Sequence, residues 1–140
     1  TRRSSDQIGR ASCRERVYLV DKKMYKDTVY QNPLPIANAT AKLLKLDLGC
    51  DYVIALSHLG FKDDKKISDM SMAPQTENID LIIGGHSHTF LEHPIKVPNR
   101  VGKEVYVTQV GWAGIWLGKL DVYFSQNNKK ISHNSGNRKI

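Results

Sequence analysis

An α/β fold is predicted by three observations. Asp51-Tyr52-Val53-Ile54-Ala55-Leu56-Ser57-His58 and Ile79-Asp80-Leu81-Ile82-Ile83-Gly84-Gly85-His86 are apolar, β-branched runs without alternation. That is the pattern of strands covered on both faces. Between them a short helix is predicted, capped by Ser68 or its neighbours, running through about Ala73 and stopped by Pro74. Strand, helix, strand is a βαβ unit, whose two strands run parallel.

The remaining elements follow in chain order. Val17 to Val20 reads as a weak strand, followed by a polar connection rich in Lys and Asp. Asn32-Pro33-Leu34-Pro35 signals a helix start, because proline belongs in a first turn. Ile36, Ala39, Leu43, Leu44 and Leu46 recur at mostly helical spacing with Lys42 and Lys45 opposite, and Gly49 ends the segment as a C′ residue. This predicts an amphipathic helix over about 35–48. Val105 to Val110 alternates, as does Ile115 to Phe124, so the C-terminal part reads as a β-meander. Asn127-Asn128 is a candidate hairpin turn into a last weak strand near Ile131.

The 140 residues fit one small domain or a piece of a larger one. Lys and Arg number 21 against 14 Asp and Glu, a formal charge of +7 that suggests nucleic acid or an anionic membrane as partner until the charges are located. They sit at the ends. Residues 1–17 hold five Arg against Asp6 and Glu15, and 127–140 hold Lys129, Lys130, Arg138 and Lys139 without an acid. The body, 18–126, is neutral and lacks interleaved basic and aromatic residues, which argues against nucleic-acid binding. A nucleic-acid binder built on the termini would lose affinity steeply with salt. No apolar run approaches the roughly 20 residues of a membrane-spanning helix. Cys13 and Cys50 give no disulfide framework, and Cys50 reads as a small core residue.

The segment Ile8-Gly9-Arg10-Ala11-Ser12-Cys13-Arg14-Glu15-Arg16-Val17 has no periodicity and is similar to the conceptual translation of a sequencing adapter. Residues 1–17 are therefore expected to be a disordered artefact outside the fold. The chain begins at Thr1 rather than Met, so the protein is expected to start near Tyr18 as an internal fragment, and its localisation is not readable. Residues 127–140 are expected to form a polar basic tail or the final weak strand.

Chemistry concentrates in the histidines. His58 and His86 each stand at the C-terminal end of a predicted parallel strand, the edge where open α/β sheets present ligands. His88 follows His86 at i+2. In extended backbone that spacing aims both imidazoles to one side, and Gly84-Gly85 lets the backbone come close to a ligand. Three convergent imidazoles suit Zn, Mn, Fe or Co better than Ca or Mg, with Ser57 and Ser87 available to hydrogen-bond behind them. His93 and His133 have no partner in the pattern and read as solvent-exposed. Asp63-Asp64-Lys65-Lys66 reads as a solvated loop, and Gln109, Trp112 and Trp116 as packing around the Gly111 and Gly114 turn. There is no phosphate loop, Rossmann fingerprint or nucleophile elbow.

Ser57-His58-Leu59-Gly60, Asn78 through Thr89 with its Gly-Gly-His-Ser-His-Thr core, Gln109-Val110-Gly111-Trp112-Ala113-Gly114-Ile115, and Leu117-Gly118-Lys119-Leu120-Asp121 together resemble the calcineurin-like metallophosphoesterases. The likeness is to the metallophosphatase domain of bacterial 5′-nucleotidases, over roughly 18–130. It implies a four-layer α/β/β/α sandwich, of which this chain is the C-terminal part, with two divalent metal ions at the strand ends. His58 and His86 are then ligands of one metal and His88 of the other, and a metal-held hydroxide attacks a phosphate ester in line. The substrate class implied is a small-molecule phosphate ester, a nucleoside 5′-monophosphate. The family's Asp-x-His, bridging Asp and Asn-His are absent here, so the catalytic residues are expected upstream and the fragment alone is expected to be inactive. A separate or fused C-terminal nucleotide-binding domain and a periplasmic or cell-envelope location in a bacterium are likewise implied only by resemblance. The alternative is a stand-alone, non-catalytic His-rich metal-binding module, which needs only the three histidines.

Overall fold

The computed structural model describes residues 29, 31–125 and 131–139. The expectations for 1–17, for a strand at Val17 to Val20 and for the Asn127-Asn128 turn lie outside the described residues. Helix α1 spans Pro33–Lys42 and continues as a π-helical turn over Leu43–Asp47. Asn32 caps it, its side-chain oxygen accepting from the Leu34 N–H at 3.0 Å, with proline in the first turn. The helix thus starts two residues earlier than expected, because Pro33 is already helical and Asn32 is the cap. Gly49 takes a φ of 66°, the left-handed conformation that closes a helix.

Of the apolar residues that the sequence pattern assigns to the packed face, only Leu44 meets the core. Ile36, Leu43 and Leu46 are exposed, whereas Ala41 is buried and Leu34, Ala37 and Leu44 pack against the core. The helix carries two apolar stripes, and periodicity alone does not say which of them meets the sheet. Lys45 at the helix end reaches the Asp80 carboxylate at 2.8 Å and the Asp51 carbonyl at 2.7 Å, and Asp80 also accepts from the Val53 N–H. This one cation therefore joins α1 to the approaches of two strands. Asn38 does the same further up, donating to the Gln75 carbonyl and accepting from the Glu77 N–H.

A four-stranded sheet has the order β1-β2-β4-β3, formed by Ile54–Leu56, Leu81–Ile83, Glu104–Thr108 and Ile95–Pro98. Strands β1, β2 and β4 are parallel, and β3 runs antiparallel to β4. The βαβ reading therefore holds, with Ser68 capping helix α2 (Asp69–Met72) through a reciprocal Ser68–Ser71 box and a 3-10 turn over Ala73–Gln75. The α/β class follows from this mixed sheet and its helices. Two details differ. The β1 residues Ile54 and Leu56 are 47% and 44% exposed, since β1 is the sheet's edge strand among the described residues. Second, the C-terminal part is not a meander. β4 inserts beside β2 as a central strand, so Val105, Tyr106 and Val107 are all buried despite the period-two pattern. Strand β3 was not expected, although Ile95-Lys96-Val97 alternates over its short length.

Strand β5 (Trp116–Phe124) pairs antiparallel with β6 (Ile131–Lys139) in a second, two-stranded sheet. The core lies in the first sheet and against α1 and α2, built on Val53, Ile79, Ile82, Val105 and Val107 with Met72 and Ala73 from the crossover. Cys50 packs half-buried against it. Among the described residues no helix is long and apolar enough to cross a membrane.

Candidate functional site

The parallel strands deliver their C-terminal ends to one edge, and the chemistry collects there. Two residues beyond β1 stands His58, and three residues beyond β2 stands His86. Their rings meet edge to face, with centroids 5.3 Å apart and an interplanar angle of 63°. Both side chains are exposed on this edge. Gly85 makes the approach possible: a Cβ at that position would stand 3.1 Å from His58 Nδ1.

His88 is placed differently. His86 and His88 take φ values of 74° and 54°, so the segment is a bent loop and not the extended backbone from which a common side was inferred. Residues two apart share a side only when the chain between them is extended, and here the His88 ring stacks on Trp112 at 5.8 Å with a 16° tilt. Among the described residues no three His, Cys, Asp or Glu side chains converge in a metal-holding group. The structure thus brings His58 and His86 together, while the His88 ring stacks on a tryptophan. His93 is exposed, as is the Asp63-Asp64-Lys65-Lys66 segment, where Asp63 accepts from the Lys65 and Lys66 N–H groups as a turn.

Two residues behind the histidines were not singled out for this role in the sequence. Asp69, the first residue of α2, is fully buried. Its Oδ1 accepts from the Ser57 hydroxyl, while its Oδ2 has no hydrogen-bond partner among the described residues. Burial pushes the carboxyl up to about 6, against a smaller opposing pull from the Ser57 hydrogen bond. The same Oδ2 faces Gly84, where an added Cβ would overlap it. Asp69 therefore sits between the residue preceding His58 and the glycine pair preceding His86. A Gly84→Ala substitution is expected to lower the unfolding free energy by about 1–3 kcal/mol, the usual cost of overpacking, as measured by urea denaturation.

Gln109, one residue past β4, is the other. It is 2% exposed, and its side-chain hydrogen bonds all land on the 85–89 loop. Ser87, which the pattern placed behind an imidazole, instead hydrogen-bonds Gln109, Thr89 and the Phe61 N–H. The sequence signals were a lone acid after a helix cap and a lone amide ending an apolar strand. Neither is specific, because caps and strand ends attract polar residues for local reasons.

No family model matches the chain. It is 29% identical over 145 aligned positions to the snake venom 5′-nucleotidase of Macrovipera lebetinus, covering 89% of this chain and 34% of that protein. It is 32% identical over 101 residues to the trifunctional nucleotide phosphoesterase YfkN of Bacillus subtilis, covering 72% of this chain and 6% of the relative. Among solved structures it matches the 5′-nucleotidase precursor of Thermus thermophilus with a TM-score of 0.69 at 27% identity, covering 80% of this chain and 23% of that one. The chain thus spans from 6% to 34% of the length of these relatives. Fold and relatives together place the chain among α/β proteins of the phosphoesterase type. Within that class the chain groups with the 5′-nucleotidases, in sequence and in fold.

Proposed function

We propose that the chain is part of a two-cation phosphomonoesterase that hydrolyses nucleoside 5′-monophosphates by in-line attack on phosphorus. In this reading His58 and His86 hold one divalent cation and His88 belongs to the other. The observation that carries it is the edge-to-face meeting of the His58 and His86 rings at the ends of two parallel strands. Two exposed imidazoles, brought together beside a glycine whose missing Cβ leaves them room, fit the donor set of Zn, Mn, Fe or Co. When bound, such cations activate water and offset charge on the phosphoryl oxygens. The stacking of His88 on Trp112 orients its ring apart from the pair, which suits a separate cation better than a third ligand on the first.

The chain's own residues position and do not perform the reaction. Ser57 and Gly84, anchored around Asp69, fix the backbone leading into each histidine. The carboxylate that bridges the cations and the groups that assist the leaving oxygen come, in this proposal, from protein outside the matched segment, so 18–126 is a partial metallophosphatase domain. A nucleotide-binding domain and a periplasmic or cell-envelope location belong to the same proposal. The nucleotide named in the relatives and the word precursor borne by the Thermus thermophilus protein support them.

Calorimetric titration of Zn or Mn into the chain and into His86→Ala tests the site. Affinity is expected to fall at least tenfold on substitution, while phosphate release from AMP by the chain alone stays at background with either metal. Equal binding by both proteins would remove His86 from the site, and metal-dependent turnover silenced by His88→Ala would place the whole reaction in this chain.

A further inference from the structure

The loop that carries His86 and His88 is held in a conformation that residues other than glycine seldom adopt, with both histidines at positive φ. Such a conformation persists only where its surroundings over-determine it. Hydrogen bonds from the Phe61 N–H to the Ser87 hydroxyl and from the Gly111 N–H to the Thr89 carbonyl, both 2.9 Å, hold parts of the loop, and one buried amide reaches both of its ends. Gln109 Nε2 donates to the Gly85 carbonyl at 2.8 Å, and Gln109 Oε1 accepts from the Thr89 N–H and from the Ser87 hydroxyl at 3.0 Å. Gly85 and Thr89 bracket the three residues His86, Ser87 and His88, so the amide closes both ends of the bend. The Gln109 backbone adds to this, its carbonyl accepting from the Leu91 N–H at 3.2 Å. Because Gln109 follows β4, a central strand of the sheet, its amide is referenced to the rigid core and not to the loop it holds.

We propose that Gln109 is a positioning residue that holds the 85–89 loop in its bent form and thereby sets the divalent-cation affinity of the His58–His86 pair. The proposal rests on the reading of that pair as a cation site. An amide is the side chain the task requires: it needs one donor for the Gly85 carbonyl and an acceptor with two lone pairs for the Thr89 N–H and the Ser87 hydroxyl, and a carboxylate or an apolar chain lacks one or both. Without it the loop relaxes toward negative φ, and the His86 ring leaves its place against His58.

The test is calorimetric titration of Zn into the 140-residue chain, at a temperature where every variant is folded by circular dichroism. Gln109→Met, nearly the same shape without the hydrogen bonds, is expected to lower Zn affinity at least tenfold. Val97→Ala, a core truncation on β3 away from the loop, is expected to lower stability and leave affinity within twofold of wild type. That contrast separates positioning from a general loss of stability. If His86→Ala weakens binding and Gln109→Met does not, the positioning role is overturned while the cation site stands. If wild type and His86→Ala bind Zn equally, both fall. Amide hydrogen exchange of the wild-type chain tests the clamp without any variant: the Thr89 N–H is expected to be protected at least tenfold although it lies in no strand, and exchange at the rate of an open loop would overturn the proposal.

Discussion

Truncating Ile82 to alanine is expected to lower the unfolding free energy by about 2–5 kcal/mol, the range for large-to-small changes in a core. Ile82 is fully buried at the middle of β2, with Ala55 of β1 and Val107 of β4 as its cross-strand partners. Neither neighbour is free to move in: Val107 is itself fully buried in a central strand, and the short β1 is tied to β2 along its whole length. The cavity therefore stays open, and the cost belongs at the upper part of the range. Since a small domain has only about 5–15 kcal/mol in total, the loss is about a quarter of it or more, and the urea midpoint is expected to fall in proportion. A urea midpoint within experimental error of wild type would show that the sheet does not form the core.

Between about pH 4 and pH 6 the chain is expected to lose about 3 kcal/mol of stability as the pH rises, through Asp69 alone. Burial holds its carboxyl at about 6, above the 3.8 of an unfolded aspartate. Across that window the folded protein keeps a proton that the unfolded chain has released, so raising the pH favours unfolding. Below the window both states are protonated and the contribution is fully present. Above it both are ionised and the loss is complete. The Asp69 Oδ2 is the structural counterpart, an oxygen with no donor among the described residues to offset the charge once the proton leaves. Asp69→Asn keeps an acceptor for the Ser57 hydroxyl and cannot ionise. Its unfolding free energy is expected to gain on wild type between pH 4 and pH 6 and to run parallel outside that window. A difference constant from pH 4 to pH 7, by denaturation in matched buffers, would remove the buried carboxyl from the account.

Much of the site was legible before the fold. Apolar strands followed by His58 and His86 marked the edge on which those imidazoles stand, because a crossover between two strands makes them parallel and brings their C-terminal ends to one edge. The covering of both faces that the same runs suggested is not met in β1. The Ser68 cap, the Asn32-Pro33 start and the Gly49 stop were equally plain, since capping is a matter of hydrogen bonds made within a few residues.

What the sequence did not carry depends on contacts between residues distant along the chain. Which further residues of α1 meet the core was decided by Leu34, Ala37 and Ala41 packing beside Leu44 and by Lys45 reaching Asp80, because a helix with two apolar stripes is locally indifferent to its rotation. The order β1-β2-β4-β3 was decided by parallel pairing across crossovers, which leaves no trace in the alternation of a single strand. The bend that parts His88 from His86 was decided by Gln109, a residue on another strand whose side chain meets the loop only in the folded state. By itself, then, the sequence determined the residue types, the local starts and stops, and the edge on which the imidazoles stand. The tertiary structure decided which of them face one another, because hydrogen bonds and packing between remote segments exist only once the backbone has closed around them.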